Sequence, residues 1–464
     1  MKKTNLAKNT LLISLGTVLT KGISFIMIPF FSRWLSTSDY GSFDLFTTYV
    51  TMFIPILSLS TGDGIFRFGV EEKTVEGKAE HITNGLYILL AGLLMILVGG
   101  TTVYVAFNWG YALPFCLMLA GELINKYLQS FLRAIKKLNI YSFCSAISTL
   151  FIFASVTLFV KILDMGLAGM IYGYAFGYLF GDLTIILWTK WWIYLCKNYS
   201  WRGIKKLISY SLPLIPNSIS WWIINVSDRT IINVFLGAAT NGIYAIACKI
   251  PNLCSSVFSA FNISWQEAAT EIVGDDEQNI YFNSVYNTMY ITLISICWGI
   301  LSCNFILFNW IFDERYYIAH LYSPLLVTSV IFSSMSVFFG GIQISFKQTQ
   351  SNGMTTMVGA IVNIIVHLAL VKVIGLHAAV VSTLVSNMVV TWLRQYLLRK
   401  RVVLHICKKN WLYTVFYLYI MVCAYFKMPL IWDLVNLMAA CVMFLVVNKK
   451  YAQKIFLKVK RKNG

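Results

Sequence analysis

The chain has 464 residues, 58% of them hydrophobic and only 12% charged, and its mean hydropathy is +0.70. A soluble domain usually carries about 25% charged residues, so too little water-facing surface is left here for one. The formal charge of +18 does not point to nucleic acid, because its Lys and Arg flank apolar runs.

A spanning helix needs roughly 20 apolar residues. Runs of that kind fall at 10–32, 42–62, 83–107, 111–132, 140–160, 167–189, 207–227, 242–264, 282–308, 321–346, 354–371, 376–393, 411–426 and 430–448. They predict an all-α integral membrane protein of about 14 transmembrane helices. With the N-terminus inside, 28 of the 37 cations lie on inner connections, six on outer ones (Arg33, Lys161, Arg229, Arg315, Lys372, Lys427), and Lys21, Lys126 and Lys249 within spans. Cytoplasmic loops carry the excess of Lys and Arg, so both termini are expected in the cytoplasm. The inner loop Glu267–Asn279 runs against the trend, being acidic without a cation.

The opening MKKTNLAKN and its apolar run imitate a signal peptide. The run is too long, carries Lys21 and lacks a small-residue cleavage site, which reads as an uncleaved first span. The ten cysteines occur singly, without C-x-x-C or zinc spacing, and behave as small apolar residues. No metal or other cofactor is expected. The longest hydrophilic connections, 63–82, 190–206, 265–281 and 394–410, all fall inside, so no extracytoplasmic domain is expected.

Self-similarity appears at about half length. Leu35-Ser-Thr-Ser-Asp-Tyr-Gly41-Ser-Phe43 recurs 201 residues later as Leu236-Gly-Ala-Ala-Thr-Asn-Gly242-Ile-Tyr244, each as a short outer turn opening a span. Lys161 with Gly166-Leu167-Ala168-Gly169 resembles Lys372 with Gly375-Leu376-His377-Ala378, offset by 209 at the glycine. The expected organisation is an N-terminal six-helix half at 1–206, a C-terminal six-helix half at 207–400, and two appended helices with a basic tail at 401–464.

Polar faces recur at helical spacing. Thr10, Ser14, Thr17, Lys21 and Ser24 share one face of span 1; Asp44, Thr48, Thr51, Pro55, Ser58 and Gly62 share one of span 2; Lys249, Asn252, Ser256 and Ser259 share one of span 8. Small hydroxyl faces also serve simply as packing surfaces. The lysines fit that reading less well, since an ammonium near mid-span costs roughly 2.5 to 3.5 kcal/mol and normally faces water or a counter-ion. Lys21 and Lys249 are therefore expected to face a shared wet cavity and meet an anion. Glu122 and Lys126 stand at i and i+4 and are expected to satisfy each other. Asp63 with Arg67 and Asp228 with Arg229 read as charge pairs at span ends, structural or gating. Asp44, Asp182, Asp433 and His367 are isolated titratable groups for which a structural role outweighs proton carriage. No G-x-x-x-x-G-K-[ST], H-E-x-x-H or G-x-S-x-G motif occurs, which argues against an ATP-driven pump or a soluble-type hydrolase.

NTLLISLGTVLTKGISFIMIPFFSRWLSTSDYGSFDLFTTY with GDGIFRF after it, and later SLPLIPNSISWWIINVSDRTIINVFLGAATNGIYAIACKI, resemble the Wzx-type polysaccharide flippases of the multidrug/oligosaccharidyl-lipid/polysaccharide exporter superfamily. The resemblance implies two six-helix bundles in a V like that of the multidrug exporters (MATE-like), plus two C-terminal helices. It implies a non-enzymatic, ATP-independent flippase of the bacterial cytoplasmic membrane. The cargo would be an undecaprenyl-diphosphate-linked oligosaccharide for O-antigen, capsule or exopolysaccharide, with the pathway's polymerase and glycosyltransferases as possible partners. Related flippases carry cavity cations in spans 1 and 8, where Lys21 and Lys249 fall; a lysine offers a point charge where an arginine offers a fork. Thr17, Ser24, Asn252 and Ser256 would then hydrogen-bond the diphosphate or sugar. The rivals are a cation-coupled drug or metabolite antiporter of the same superfamily, which would want a carboxylate-lined cavity, and a membrane polymerase or glycosyltransferase, which would want a large outer loop.

Overall fold

The computed structural model describes residues 19–196, 200–346, 348–426 and 428–460, and among these every regular element is a helix. Contacts divide the chain into two compact units, Met1–Asn233 with Gly237–Gly242, and Val234–Leu236 with Ile243–Gly464.

In the first unit, α1 (19–34) leads through a short turn into α2 (Thr37–Leu57), where the Ser36 hydroxyl accepts the Asp39 amide at 3.0 Å. That side-chain acceptor satisfies one of the free donors of a helix start. Pro55 inside α2 has no N–H to continue the ladder. Two residues later the helix stops, Leu59 and Ser60 take left-handed backbone angles (φ 48° and 51°), and α3 (Thr61–Glu71) leaves at a bend of 54°. The continuous span expected at 42–62 is thus broken. Irregular backbone at membrane depth is tolerated where it lines a cavity, which is what this break does.

α4 (Val75–Phe107) starts on the Thr74 hydroxyl and runs for 33 residues, about 50 Å at 1.5 Å per residue, longer than a bilayer core of roughly 30 Å. α5 (Ala112–Ala134) follows, then α6 (Leu138–Val156), which ends in a π-helical turn, Thr157–Ile162. α7 (Gly166–Thr189) lies against α6 through Gly173, Gly177 and Gly181, whose missing Cβ atoms leave room for the Val156, Ile152 and Ser148 backbones. α8 (Trp201–Ser211) buries Ile204 and Leu207 and leaves Arg202, Lys205 and Lys206 exposed. This short amphipathic helix occupies the position expected to open span 7 at residue 207, and the longer helix of that stretch begins later, as α9 (Ile215–Leu236).

The two repeated turns meet inside this unit. A Cβ on Gly41 would overlap the Ala238 carbonyl, and a Cβ on Gly242, in α10 (Ala238–Ala247), would overlap the Thr37 carbonyl. Thr37 and Ala238 are themselves 201 residues apart, so the contact is reciprocal under the repeat. The Asn241 amide then donates to the Gly41 carbonyl at 2.7 Å.

The second unit holds α11 (Lys249–Ile272) and all the helices after it. Span 8 is not continuous, since a turn at Cys248 separates α10 from α11. α12 (Gln278–Ser302) is followed by a single turn, α13 (Asn304–Ile306), then α14 (Ser323–Ser345), α15 (Thr349–Ile374) and α16 (His377–Leu398). Trp265 of α11 stacks on Phe338 of α14 with centroids 4.4 Å apart and donates its indole N–H to the Phe338 carbonyl at 2.9 Å. In α16, Arg394 is buried, and its guanidinium donates to the Ser336 carbonyl (2.7 Å), Thr355 (3.1 Å), the Asn352 carbonyl (3.3 Å) and Thr356 (2.7 Å), tying three helices together.

The two last helices, α17 (Lys408–Cys423) and α18 (Leu430–Lys460), pack on α12 through Ile294, Cys297 and Leu301 with Tyr417, Ile420 and Ala440. The extended segment before α17 is held by two asparagines one turn apart on α12. Asn283 bonds the Val403 carbonyl and the His405 amide, and Asn287 bonds the His405 carbonyl and the Cys407 amide, all at 2.8 to 2.9 Å.

Among the described residues six helices are long and apolar enough to cross a membrane, and α2 with α3 makes a seventh. The chain is therefore a multi-pass membrane protein. Within the described residues the other expected spans are also helical, but they are shorter, broken or carry polar side chains such as those of α5, so length and composition alone do not select them.

Candidate functional site

The break between α2 and α3 opens onto a polar cavity of about 320 Å³ inside the first unit. Ser58, Ser60, Thr61 and Asp63 come from the break itself, and the opposite wall is α5. There the spacing 122, 126, 129, 133 repeats 4, 3, 4, one helical face. Lys126, Gln129, Ser130 and Arg133 of that face line the cavity, with Tyr127 and Tyr141 beside them and Ser218 from α9. Two cations against one carboxylate make the chamber net positive. The first turn of α3, with its peptide dipoles, adds a partial positive charge at the same place.

Three of the wall residues are held from behind. Arg133 lies over the Phe66 ring at 4.0 Å, a cation–π contact that positions the guanidinium while leaving its donors free to act. The Tyr127 hydroxyl donates to the Ile82 carbonyl at 2.9 Å. The Gln129 amide donates to Asn125 at 2.6 Å, and the Asn125 amide to buried Asp182 of α7 at 2.7 Å, so a chain of three polar side chains runs from the cavity wall into the bundle. Glu122, a turn before Lys126 on α5, is expected from the sequence to pair with it; among the described residues no ion pair joins the two, and Lys126 lines the cavity instead.

Towards the start of α2 the same polar stripe meets α9. The Arg229 guanidinium Nε lies 2.5 Å from Asp44 Oδ2, with both side chains largely buried. One turn further along α2, the Trp222 indole donates to the Thr48 carbonyl at 2.8 Å.

A family model described as "Polysaccharide biosynthesis protein" matches residues 6–265, more than half of the chain. The chain belongs to this family. A relative of similar length is the "Probable low-salt glycan biosynthesis flippase Agl15" of Haloferax volcanii, 24% identical over 413 residues that cover 85% of this chain and 84% of that protein. Two solved structures share the fold. The lipid II flippase MurJ in an inward closed conformation has a TM-score of 0.70 at 14% identity, covering 96% of this chain and 100% of that one. An inward-facing multidrug-resistance MATE transporter of the MOP superfamily has a TM-score of 0.64 at 12% identity, covering 85% and 98%.

Against this family background the expected site residues divide. Asp63 and Lys126 line the cavity. Arg67, expected to pair with Asp63, instead lies 2.8 Å from Glu71, the next turn of α3, with both side chains more than half exposed. Arg229, expected beside Asp228, reaches Asp44 on α2, the acid expected to be isolated. Thr17 lies outside the described residues. Lys21 is exposed on α1, and the Ser24 hydroxyl bonds the Thr20 carbonyl of its own helix at 2.9 Å. Lys249 opens α11 in the second unit, with Asn252 exposed and the Ser256 hydroxyl on the Asn252 carbonyl at 2.8 Å.

The sequence reading missed Arg133, Gln129 and Ser130. The fourth apolar run ends at 132, which leaves Arg133 on the inner connection, although the helix continues to Ala134. The signal was present in the 4, 3, 4 spacing that extends the Glu122–Lys126 pair by two more turns.

Proposed function

We propose that this protein is a flippase that carries undecaprenyl-diphosphate-linked glycan units across the bacterial cytoplasmic membrane for a surface polysaccharide, by alternating access and without ATP. The observation that carries the reading is the cavity at the broken helix, which Lys126 and Arg133 line together with Ser58, Thr61, Gln129 and Ser130. Paired cations suit a diphosphate and the hydroxyl and amide groups suit sugar. An arginine supplies a planar fork and a lysine a movable point charge. Lys21 and Lys249, with Thr17, Ser24, Asn252 and Ser256, would extend the polar path in spans 1 and 8.

In this mechanism the anionic head enters the cavity from the inner leaflet while the lipid chain remains outside the cavity. Two repeat-related halves, 1–206 and 207–400, would rock about the site, as in other two-repeat carriers. The reciprocal contact of Gly41 and Gly242 supports that repeat. An inside-negative potential is worth about 2.3 kcal/mol per charge per 100 mV, which favours outward passage of the anion and return of the empty cationic site. The rival antiporter of cationic drugs is disfavoured by a chamber in which cations outnumber carboxylates, with Asp63 its lining acid.

The test is made in cells lacking the native gene, with variants expressed at normal levels. Lys126→Ala with Arg133→Ala is expected to abolish surface polysaccharide and to build up lipid-linked intermediate in the inner leaflet; Lys21→Ala and Lys249→Ala are expected to reduce export. Wild-type export from the Lys126/Arg133 double variant would refute the reading.

A further inference from the structure

The same three helices that wall the polar cavity carry a second hollow of opposite chemistry. Between α2, α4 and α5 lies a groove of about 500 Å³ lined almost wholly by apolar side chains, among them Phe46, Phe53, Met95, Val103 and Phe115. On α2 the groove lining runs from Phe46 to Leu57, about 17 Å at 1.5 Å per residue. Gly99 interrupts the side chains of its α4 wall, and a Cβ there would meet nothing within 4 Å. Phe46, Trp109 and Phe115 close the far end as a ring cluster with centroids 5.6 to 5.8 Å apart.

The groove and the cavity follow one another along the helices. On α4 the cavity takes Gly85 and Leu89 and the groove Met95 onward; on α5 the cavity takes Leu123 onward and the groove ends at Leu119. Between them Gly92 brings α4 against the Leu57 carbonyl and the Leu123 side chain, and the lining changes from polar to apolar at that contact. A cationic chamber followed by an apolar slot on one set of helices is complementary to an amphiphile with an anionic head and a long chain.

We propose that this groove holds the hydrocarbon chain of the lipid carrier whose diphosphate head sits in the cavity, an inference that rests on the flippase reading above. Lipid tails are as apolar as the groove, so moving a chain from bilayer to groove gains little hydrophobic energy. What the groove supplies is position, keeping the chain alongside α2 so that the head is presented to Lys126 and Arg133.

The experiment uses the full chain in nanodiscs with a polyisoprenyl diphosphate carrying a photoreactive group in its chain, followed by mass spectrometry of the crosslinked peptides. Labelling is expected on Phe46–Leu57 and Met95–Val103, to be competed at least tenfold by unlabelled polyisoprenyl diphosphate and not by phospholipid. Gly99→Phe, which fills the slot, is expected to remove that labelling while leaving unchanged the binding of a short-chain, water-soluble isoprenyl diphosphate. Competition on the wild-type chain reads the same point should the variant fail to fold. Labelling displaced equally by phospholipid would show ordinary annular lipid and overturn the proposal, as would labelling that survives in folded Gly99→Phe. The flippase reading fails separately, if the short-chain diphosphate binds the Lys126→Ala/Arg133→Ala variant as well as wild type.

Discussion

Removing the Arg229 side chain is expected to be among the most damaging single truncations in the first unit. Its guanidinium reaches Asp44 Oδ2 at 2.5 Å, and the two side chains are only 13% and 9% exposed. Deleting one partner of a buried ion pair costs about 3 to 5 kcal/mol, because the other charge stays in a medium that solvates it poorly. At 1.4 kcal/mol per factor of ten, that is at least a hundredfold in the folding equilibrium. Removing both charges together costs far less than the sum, since neither is then stranded. Reversible unfolding of Arg229→Ala, Asp44→Ala and the double variant in mixed micelles, followed by tryptophan fluorescence, is expected to give a coupling energy above about 1 kcal/mol. Trp222→Phe, which removes only the neighbouring N–H bond to Thr48, is expected to cost about 1 kcal/mol. Additive single effects for Arg229 and Asp44, within about 0.5 kcal/mol, would refute the argument that the pair acts as a unit.

Gly41→Val is expected to prevent stable folding or cost more than about 2 kcal/mol, since its Cβ would overlap the Ala238 carbonyl; Gly242→Val should match it, read by yield and thermal unfolding in detergent. Ser60→Gly, at φ 51°, is expected to raise stability by about 1 kcal/mol by relieving a left-handed conformation, in the same unfolding assay. Arg394→Ala is expected to destabilise the second unit by about 3 kcal/mol, because it leaves the Ser336 carbonyl and the Thr355 and Thr356 hydroxyls without their buried donor.

Much of this architecture is visible in composition and periodicity alone. A chain 12% charged with long apolar runs has few options besides membrane helices. The face of α2 from Asp44 to Gly62 is legible from its spacing, and the structure puts it to use at both ends, against Arg229 and along the cavity. The break in that face is only half legible: Pro55 marks weakness, but the turn itself is made by Leu59 and Ser60, residues that seldom take positive φ and give no local warning. Partners far apart in sequence were out of reach. Asp44 and Arg229 stand 185 residues apart, so the acid looked isolated and the arginine was matched to its neighbour. The repeat of Gly41 and Gly242 was readable as a pattern, while their contact is a matter of tertiary packing. Drawing the fourth span two residues too short moved Arg133 from the cavity to the loop, although its spacing from Lys126 and Gln129 already placed it on their face.

The central claim, that Lys126 and Arg133 hold the diphosphate of a lipid-linked glycan during its passage, is tested most directly in proteoliposomes. A fluorescent polyisoprenyl-diphosphate-linked oligosaccharide is placed in both leaflets, and a membrane-impermeant quencher reports how fast the inner pool becomes accessible. The wild-type chain is expected to exchange the leaflets without nucleotide. The Lys126→Ala/Arg133→Ala variant is expected to be about a hundredfold slower, from two charge-assisted contacts of roughly 1.5 kcal/mol each. Equal rates for variant and wild type would contradict the account.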